Sequence, residues 1–114
     1  MEITPLKQEV TQLHADICSA LAEPYRILIL YALGEKPYTV NELVDVIGAP
    51  QPTVSRHLKV LRERNLVETV RQGASVEYRL ADRRLIEALD LLRAVMHDRI
   101  SKRATLVQDY TREK

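Results

Sequence analysis

The stretch that decides the fold is Thr39-Val40-Asn41-Glu42-Leu43-Val44-Asp45-Val46-Ile47-Gly48-Ala49-Pro50-Gln51-Pro52-Thr53-Val54-Ser55-Arg56-His57-Leu58-Lys59-Val60-Leu61-Arg62-Glu63-Arg64. Its first four residues fit a capping box, in which the Thr39 hydroxyl and the Glu42 carboxylate satisfy free backbone N–H groups at a helix start. A short helix is expected over 40–47. Gly48-Ala49-Pro50 reads as a tight turn, and a second helix is expected over 51–64, with Pro52 tolerated in its first turn. Two helices joined by a three-residue turn that contains Gly are a helix-turn-helix candidate.

On the second of these helices Val54, Leu58 and Leu61 step by four and three and form one side, while Arg56 and Lys59 lie nearly opposite, flanked by Thr53 and Ser55. Reading a DNA groove needs this division: the N-terminal half presents hydrogen-bonding groups to base edges, and the apolar back is held by the domain. Gln51, Thr53, Ser55 and Arg56 are the base-reading candidates. An arginine can donate a bidentate pair to guanine, worth about 1–3 kcal/mol of discrimination. Lys59 and Arg62 are expected on phosphates. His57 lies close to the inward edge, where base contact and packing on the core are both open to it. The bland alternative for the group is a solvated basic face.

Residues 66–71 and 75–80 read as two strands, since Val76, Tyr78 and Leu80 alternate with Glu77 and Arg79, and Gln72-Gly73-Ala74 reads as the hairpin tip. Arg71, Gln72 and Ser75 bracket the tip, within reach of a phosphate or the minor groove; a plain hairpin is the alternative. Tyr78 is expected in the core. Asp82 is placed to cap a last helix whose stripe is Leu85, Leu89, Leu92 and Met96, over 82–104, with the polar residues 105–114 expected to fray. Upstream, Leu6, Val10, Leu13, Ile17 and Leu21 mark an amphipathic helix over 6–22. Pro24 then suits the first turn of a helix over 25–33 that Gly34 ends.

The order of elements and several separated motifs resemble the winged-helix transcriptional repressors of the ArsR/SmtB family. The residues that carry the resemblance are Ala20-Leu21-Ala22-Glu23-Pro24-Tyr25-Arg26-Ile27-Leu28, then Val54-Ser55-Arg56-His57-Leu58-Lys59-Val60-Leu61 leading into Asn65-Leu66-Val67, then Arg71-Gln72-Gly73 and Tyr78-Arg79-Leu80. The resemblance implies a mainly α fold with a β-hairpin wing, a homodimer built from the first and last helices, a recognition helix at 51–64, and an effector that releases the DNA. The fold class expected is thus a winged helix-turn-helix in one domain.

Charge distribution agrees with a polyanion partner. The net charge of the 114 residues is only +1, but residues 1–50 carry three Lys/Arg against seven Asp/Glu, residues 51–84 eight against four, and residues 85–114 six against five. Local phosphate neutralisation matters more to nucleic acid than global charge. With no Trp and no Phe, the core must come from Leu, Ile, Val and the five Tyr. The stripes on the first helix (Leu6, Val10, Leu13, Ile17) and the last (Leu85, Leu89, Leu92, Met96) are longer than a small core covers, so a second copy is expected on them; monomer core is the alternative. A two-fold dimer would set two recognition helices roughly 34–36 Å apart and require a palindromic operator.

The family's sensing sites can be compared position by position. Its thiolate motif on the third helix corresponds to Glu42-Leu43-Val44-Asp45-Val46-Ile47-Gly48, with valine at both cysteine positions. Its last-helix zinc site would need ligands where this chain has Leu92 and Arg103. Persulfide-sensing members use two cysteines, and this chain has one, Cys18. The effector is therefore open and no resident cofactor is expected. His14 and Cys18, four apart, with His97 on the last helix, are the remaining candidates for a metal ion; a buried small hydrophobe is the simpler reading of Cys18. A lone cysteine excludes an internal disulfide. No nucleophile-base pair, phosphate-binding Gly-rich loop or carboxylate dyad points to an enzyme. No apolar run approaches the roughly 18 residues of a membrane span and no signal peptide is read at the N-terminus, so a cytoplasmic protein is expected. The rival function is a winged-helix module that binds an acidic protein partner.

Overall fold

The computed structural model describes residues 3–112, with the side chains of residues 105 and 107–112 outside that description. The first helix, α1, spans Ile3–Leu13 and passes into a π turn, His14–Cys18, and a 3-10 turn, Ala20–Ala22. One continuous helix over 6–22 is thus corrected to three pieces. The Ser19 N–H reaches back five residues to the His14 carbonyl at 2.9 Å, and the Ser19 hydroxyl takes the Ala15 carbonyl at 2.6 Å, in competition with a backbone donor. Pro24 then forces Glu23 into extended backbone (φ −127°, ψ 119°).

Helix α2 spans Pro24–Glu35, with Glu23 at its N-cap accepting from the Tyr25 N–H. Gly34, expected to end it, lies within it instead. The stop is set by Pro37, whose ring drives Lys36 into extended backbone (φ −166°, ψ 166°), and the Gly34 carbonyl is taken by Arg83 at 2.8 Å.

Helix α3 spans Val40–Ile47, and the capping box is complete: Thr39 Oγ1 accepts from the Glu42 N–H (3.2 Å) and Glu42 Oε1 from the Thr39 N–H (2.9 Å). The Thr39 N–H on its carboxylate, and then the Thr39 hydroxyl beside it, hold the Glu42 carboxyl below its ordinary pKa. Gly48 ends the helix in left-handed backbone (φ 75°). Helix α4 spans Gln51–Glu63 and closes on Asn65, whose φ of 61° makes it the non-glycine residue in left-handed backbone among those described. The Asn65 N–H reaches Arg62 O and the Leu66 N–H reaches Leu61 O, which is the Schellman pattern, with Leu61 and Leu66 both buried beneath it.

The wing consists of β1 (Val67–Gln72) and β2 (Ser75–Leu80), antiparallel from Val67↔Leu80 to Gln72↔Ser75. Its loop is the two residues Gly73-Ala74, with Gly73 at φ 62° as a type II′ hairpin needs. The expected strand start at Leu66 moves by one because Leu66 is engaged in the close of α4. Tyr38 exchanges two backbone hydrogen bonds with Tyr78 (3.0 and 2.7 Å), an isolated bridge on the sheet edge. Tyr78 is half-buried there, and no tyrosine among the described side chains is fully buried. The core of this first unit is aliphatic: Ile29, Leu30, Leu43, Val54, Leu58 and Leu61 are its largest sealed side chains.

The second unit is α5, Arg84–Arg112, of 29 residues. It begins two residues later than expected and runs on through the stretch expected to fray, because no Gly or Pro interrupts it. Ile86 and Leu89 are buried; from Asp90 onward every described side chain is exposed.

Candidate nucleic-acid interface

Helix α4 sorts its side chains as the groove requires. Val54, Leu58 and Leu61 are sealed at the back; Gln51, Arg56, Lys59 and Arg62 are exposed at the front; Thr53 and Ser55 are half-buried on the flanks. His57, counted among the DNA-facing candidates, is corrected to a buried residue, only 5% exposed. Its Nδ1 lies 3.4 Å from Arg26 Nη1, and its ring is 6.0 Å from that of Tyr25. Because a guanidinium only donates, Nδ1 is the acceptor and the neutral ring carries its proton on Nε2. Burial, then the charges of Arg26 and Arg56, push its pKa down, against a smaller opposing pull from Glu23. His57 is therefore a packing element of the recognition helix, its Nδ1 taken by Arg26.

The wing separates its three candidates. Directly paired residues share a face, so Gln72 and Ser75 project together on one side of the last rung, whereas Arg71 pairs with Val76 on the other. All three are exposed. Ser75 meets Gln51 across an open cleft of about 360 Å³, which Thr39 and Asn41 at the start of α3 also line. Those two residues were missed in the sequence reading: the capping box marks a helix start, but nothing local says that this start opens beside the wing tip.

Charge pairing narrows the basic face. Arg79 is bound to Glu68 at 3.1 Å, its direct cross-strand partner, and Arg64 lies 3.9 Å from Asp16. Arg56, Lys59, Arg62 and Arg71 make no salt bridge among the described residues, so the front of α4 and one side of the wing carry uncompensated positive charge.

Each unit carries an uncovered apolar stripe. On α1, Leu6, Val10 and Leu13 are exposed, and Ile17, in the π turn, is half-buried. On α5, Leu92 and Met96 are exposed, together with Leu91, Val95 and Ile100, which the expected stripe omitted. Leu85 is half-buried and Leu89 is only 6% exposed, so of the expected stripe Leu89 offers little surface to a second copy.

The family's metal sites do not fit these residues. Val44 and Val46 carry no donor atom, and an arginine at position 103 has no lone pair to give. Cys18, read as a buried small hydrophobe, is instead exposed, as are His14 at the other end of the π turn and His97 on α5, and among the described residues no group of three His, Cys, Asp or Glu could hold a metal ion. No helix among those described is long and apolar enough to cross a membrane.

Comparison with known proteins agrees with this geometry. A family profile described as "Bacterial regulatory protein, arsR family" matches residues 23–69. The chain is 42% identical over 93 residues to the HTH-type transcriptional repressor SmtB of Mycobacterium tuberculosis, covering 82% of this chain and 67% of that protein. Its fold is similar to the crystal structure of M. tuberculosis Rv0081, with a TM-score of 0.74, 32% identity and coverage of 83% and 96%. It is likewise similar to the homodimeric winged helix-turn-helix DNA-binding domain Mb0332 of Mycobacterium bovis, with a TM-score of 0.72, 26% identity and coverage of 82% and 87%.

Proposed function

Since the chain belongs to the arsR family of bacterial regulatory proteins, we propose that it acts as a homodimeric transcriptional repressor that grips double-stranded DNA with α4 and the wing. The observation that carries the reading is the division of α4: a sealed aliphatic back and a front on which Gln51, Arg56, Lys59 and Arg62 stand exposed, the three cations without a carboxylate partner among the described residues. Gln51 and Arg56 read base edges, with Thr53 and Ser55 beside them. Lys59, Arg62 and Arg71 meet phosphates, and Gln72 and Ser75 approach the backbone from the other side of the wing. The stripes of α1 and α5 are the surfaces on which a second copy is seated. Two-fold symmetry then makes the operator an inverted repeat, its half-sites one turn of B-DNA apart. The protein works where the chromosome is, in the bacterial cytoplasm. It is not an enzyme.

The proposal assigns no resident metal and leaves the effector open; titration of the protein with zinc, nickel and cobalt, with His14→Ala, Cys18→Ser and His97→Ala beside it, tests the three remaining donors. The DNA reading is tested by selection from random duplexes with the purified protein at moderate salt. Recovery of an inverted repeat supports it. No enrichment supports a module that binds an acidic protein instead.

A further inference from the structure

Residues 14–22 are where the regular helix fails, and such a segment leaves carbonyls without their usual backbone donors. Two guanidinium groups fill them, that of Arg26 from the next helix and that of Arg64 from 49 residues away. Arg64, the residue that closes α4, donates through Nη1 to the Ala15 carbonyl and to Ser19 Oγ (3.4 Å), and lies 3.9 Å from the Asp16 carboxylate. Arg26 of α2 donates through Nε to the Ala20 carbonyl (2.6 Å), through Nη2 to the Ser19 carbonyl (3.4 Å) and through Nη1 to His57 Nδ1 (3.4 Å). The recognition helix is thereby tied to the root of α1 at two points about two turns apart, His57 in its middle and Arg64 at its end. Apolar contacts slide, but a guanidinium is a rigid planar fork whose several donors hold a direction.

We propose that Arg64, together with Arg26, is a positioning residue that fixes the angle between α1 and α4 and so selects the spacing of the operator half-sites. The inference rests on the repressor reading above, in which the stripe of α1 packs on a second copy. In that dimer α1 is a lever. From Ile3 to Cys18 it is about 24 Å long, so a swing of about 10° at its root moves the far end by about 4 Å. That exceeds the ~3.4 Å step of one base pair. Both guanidiniums are occupied by acceptors of their own chain, so this role is separate from phosphate contact.

The test uses the full-length protein and the inverted repeat it selects from random duplexes, alongside the same repeat with one base pair inserted or removed at its centre. The wild-type protein prefers the selected spacing by roughly tenfold or more. Arg64→Ala stays folded in a thermal melt, stays dimeric in sedimentation, keeps its affinity for random-sequence duplex within about threefold, and discriminates between spacings by less than about threefold. A folded, dimeric Arg64→Ala protein with wild-type spacing preference overturns the proposal. If that variant does not fold, Arg64→Lys, which retains one cationic donor, is expected to lose at least about threefold of the preference. Full preference in Arg64→Lys, or loss of the fold in both variants, overturns it as well. Failure of the wild-type protein to select any repeat overturns the repressor reading itself, and is seen before any variant is compared.

Discussion

Replacing Lys59 with alanine changes the salt dependence of DNA binding by an amount that follows from the charge pairing. Four cations per protomer, Arg56, Lys59, Arg62 and Arg71, have no carboxylate partner among the described residues. With Arg56 assigned to bases, three remain for phosphates, or about six in a dimer. Each neutralised phosphate contributes about −0.9 to the slope of log affinity against log salt, giving about −5.4 for the wild-type protein. Between about 50 and 200 mM KCl, affinity then falls by roughly 2,000-fold. Lys59→Ala removes two contacts per dimer, leaving a slope of about −3.6 and a loss of roughly 150-fold over the same range. Arg56→Ala lowers discrimination by about 1–3 kcal/mol at one base position in each half-site, with a smaller effect on random duplex. Fluorescence anisotropy titrations of labelled selected and random duplexes at four salt concentrations give both quantities. A wild-type slope near −1, or a slope unchanged by Lys59→Ala, would refute the assignment of charges.

Other expectations separate fold, dimer and titration. Leu61 is fully buried, so Leu61→Ala costs about 2–5 kcal/mol in a denaturant melt; Leu92 is 63% exposed, and Leu92→Glu leaves secondary structure intact while shifting sedimentation toward the monomer. Asn65 holds left-handed backbone, so Asn65→Gly is neutral or stabilising in a thermal melt, whereas Asn65→Ala destabilises by about 1 kcal/mol. His57 is held neutral by burial and by the charges of Arg26 and Arg56. Below the unfolded value of about 6.5 the unfolded chain binds a proton that the native site resists, so this contribution to stability is present above about pH 6.5 and declines as pH falls below it. Denaturant midpoints measured from about pH 7.5 to 5.5 should fall less in His57→Gln than in the wild-type protein; equal falls would exclude His57 as the cause.

Features set by neighbouring residues were legible in the sequence. Thr39 with Glu42, Gly48 in its turn, and Gly73 at the hairpin tip each depend on a few adjacent side chains, and the helix-turn-helix and wing follow from them, though the tip is the two residues Gly73-Ala74 and not the three expected. Features set by distant partners were not. The π turn at His14–Cys18 is one: the Ser19 hydroxyl on the Ala15 carbonyl is a local part of it, but Arg64, which binds that same carbonyl, lies 49 residues away. A helical wheel leaves His57 on the edge; Arg26 and Tyr25 decide that it turns inward. Gly34 misled as a helix end because a proline three residues later already supplied the stop, while Asn65 took the left-handed role usually given to glycine. Alternation along the hairpin identified exposed wing residues, but only the register shows that Arg71 faces away from Gln72 and Ser75.

The central claim is that the front of α4 enters the major groove, twice, through symmetry. A crystal structure of the protein with its selected duplex tests this most directly. The account predicts two chains per duplex, α4 of each in successive major grooves roughly 34–36 Å apart, with Arg56 and Gln51 within hydrogen-bond distance of base edges and His57 still against Arg26. A complex in which α4 faces solvent or a protein surface, or in which one chain alone binds the duplex, would contradict it.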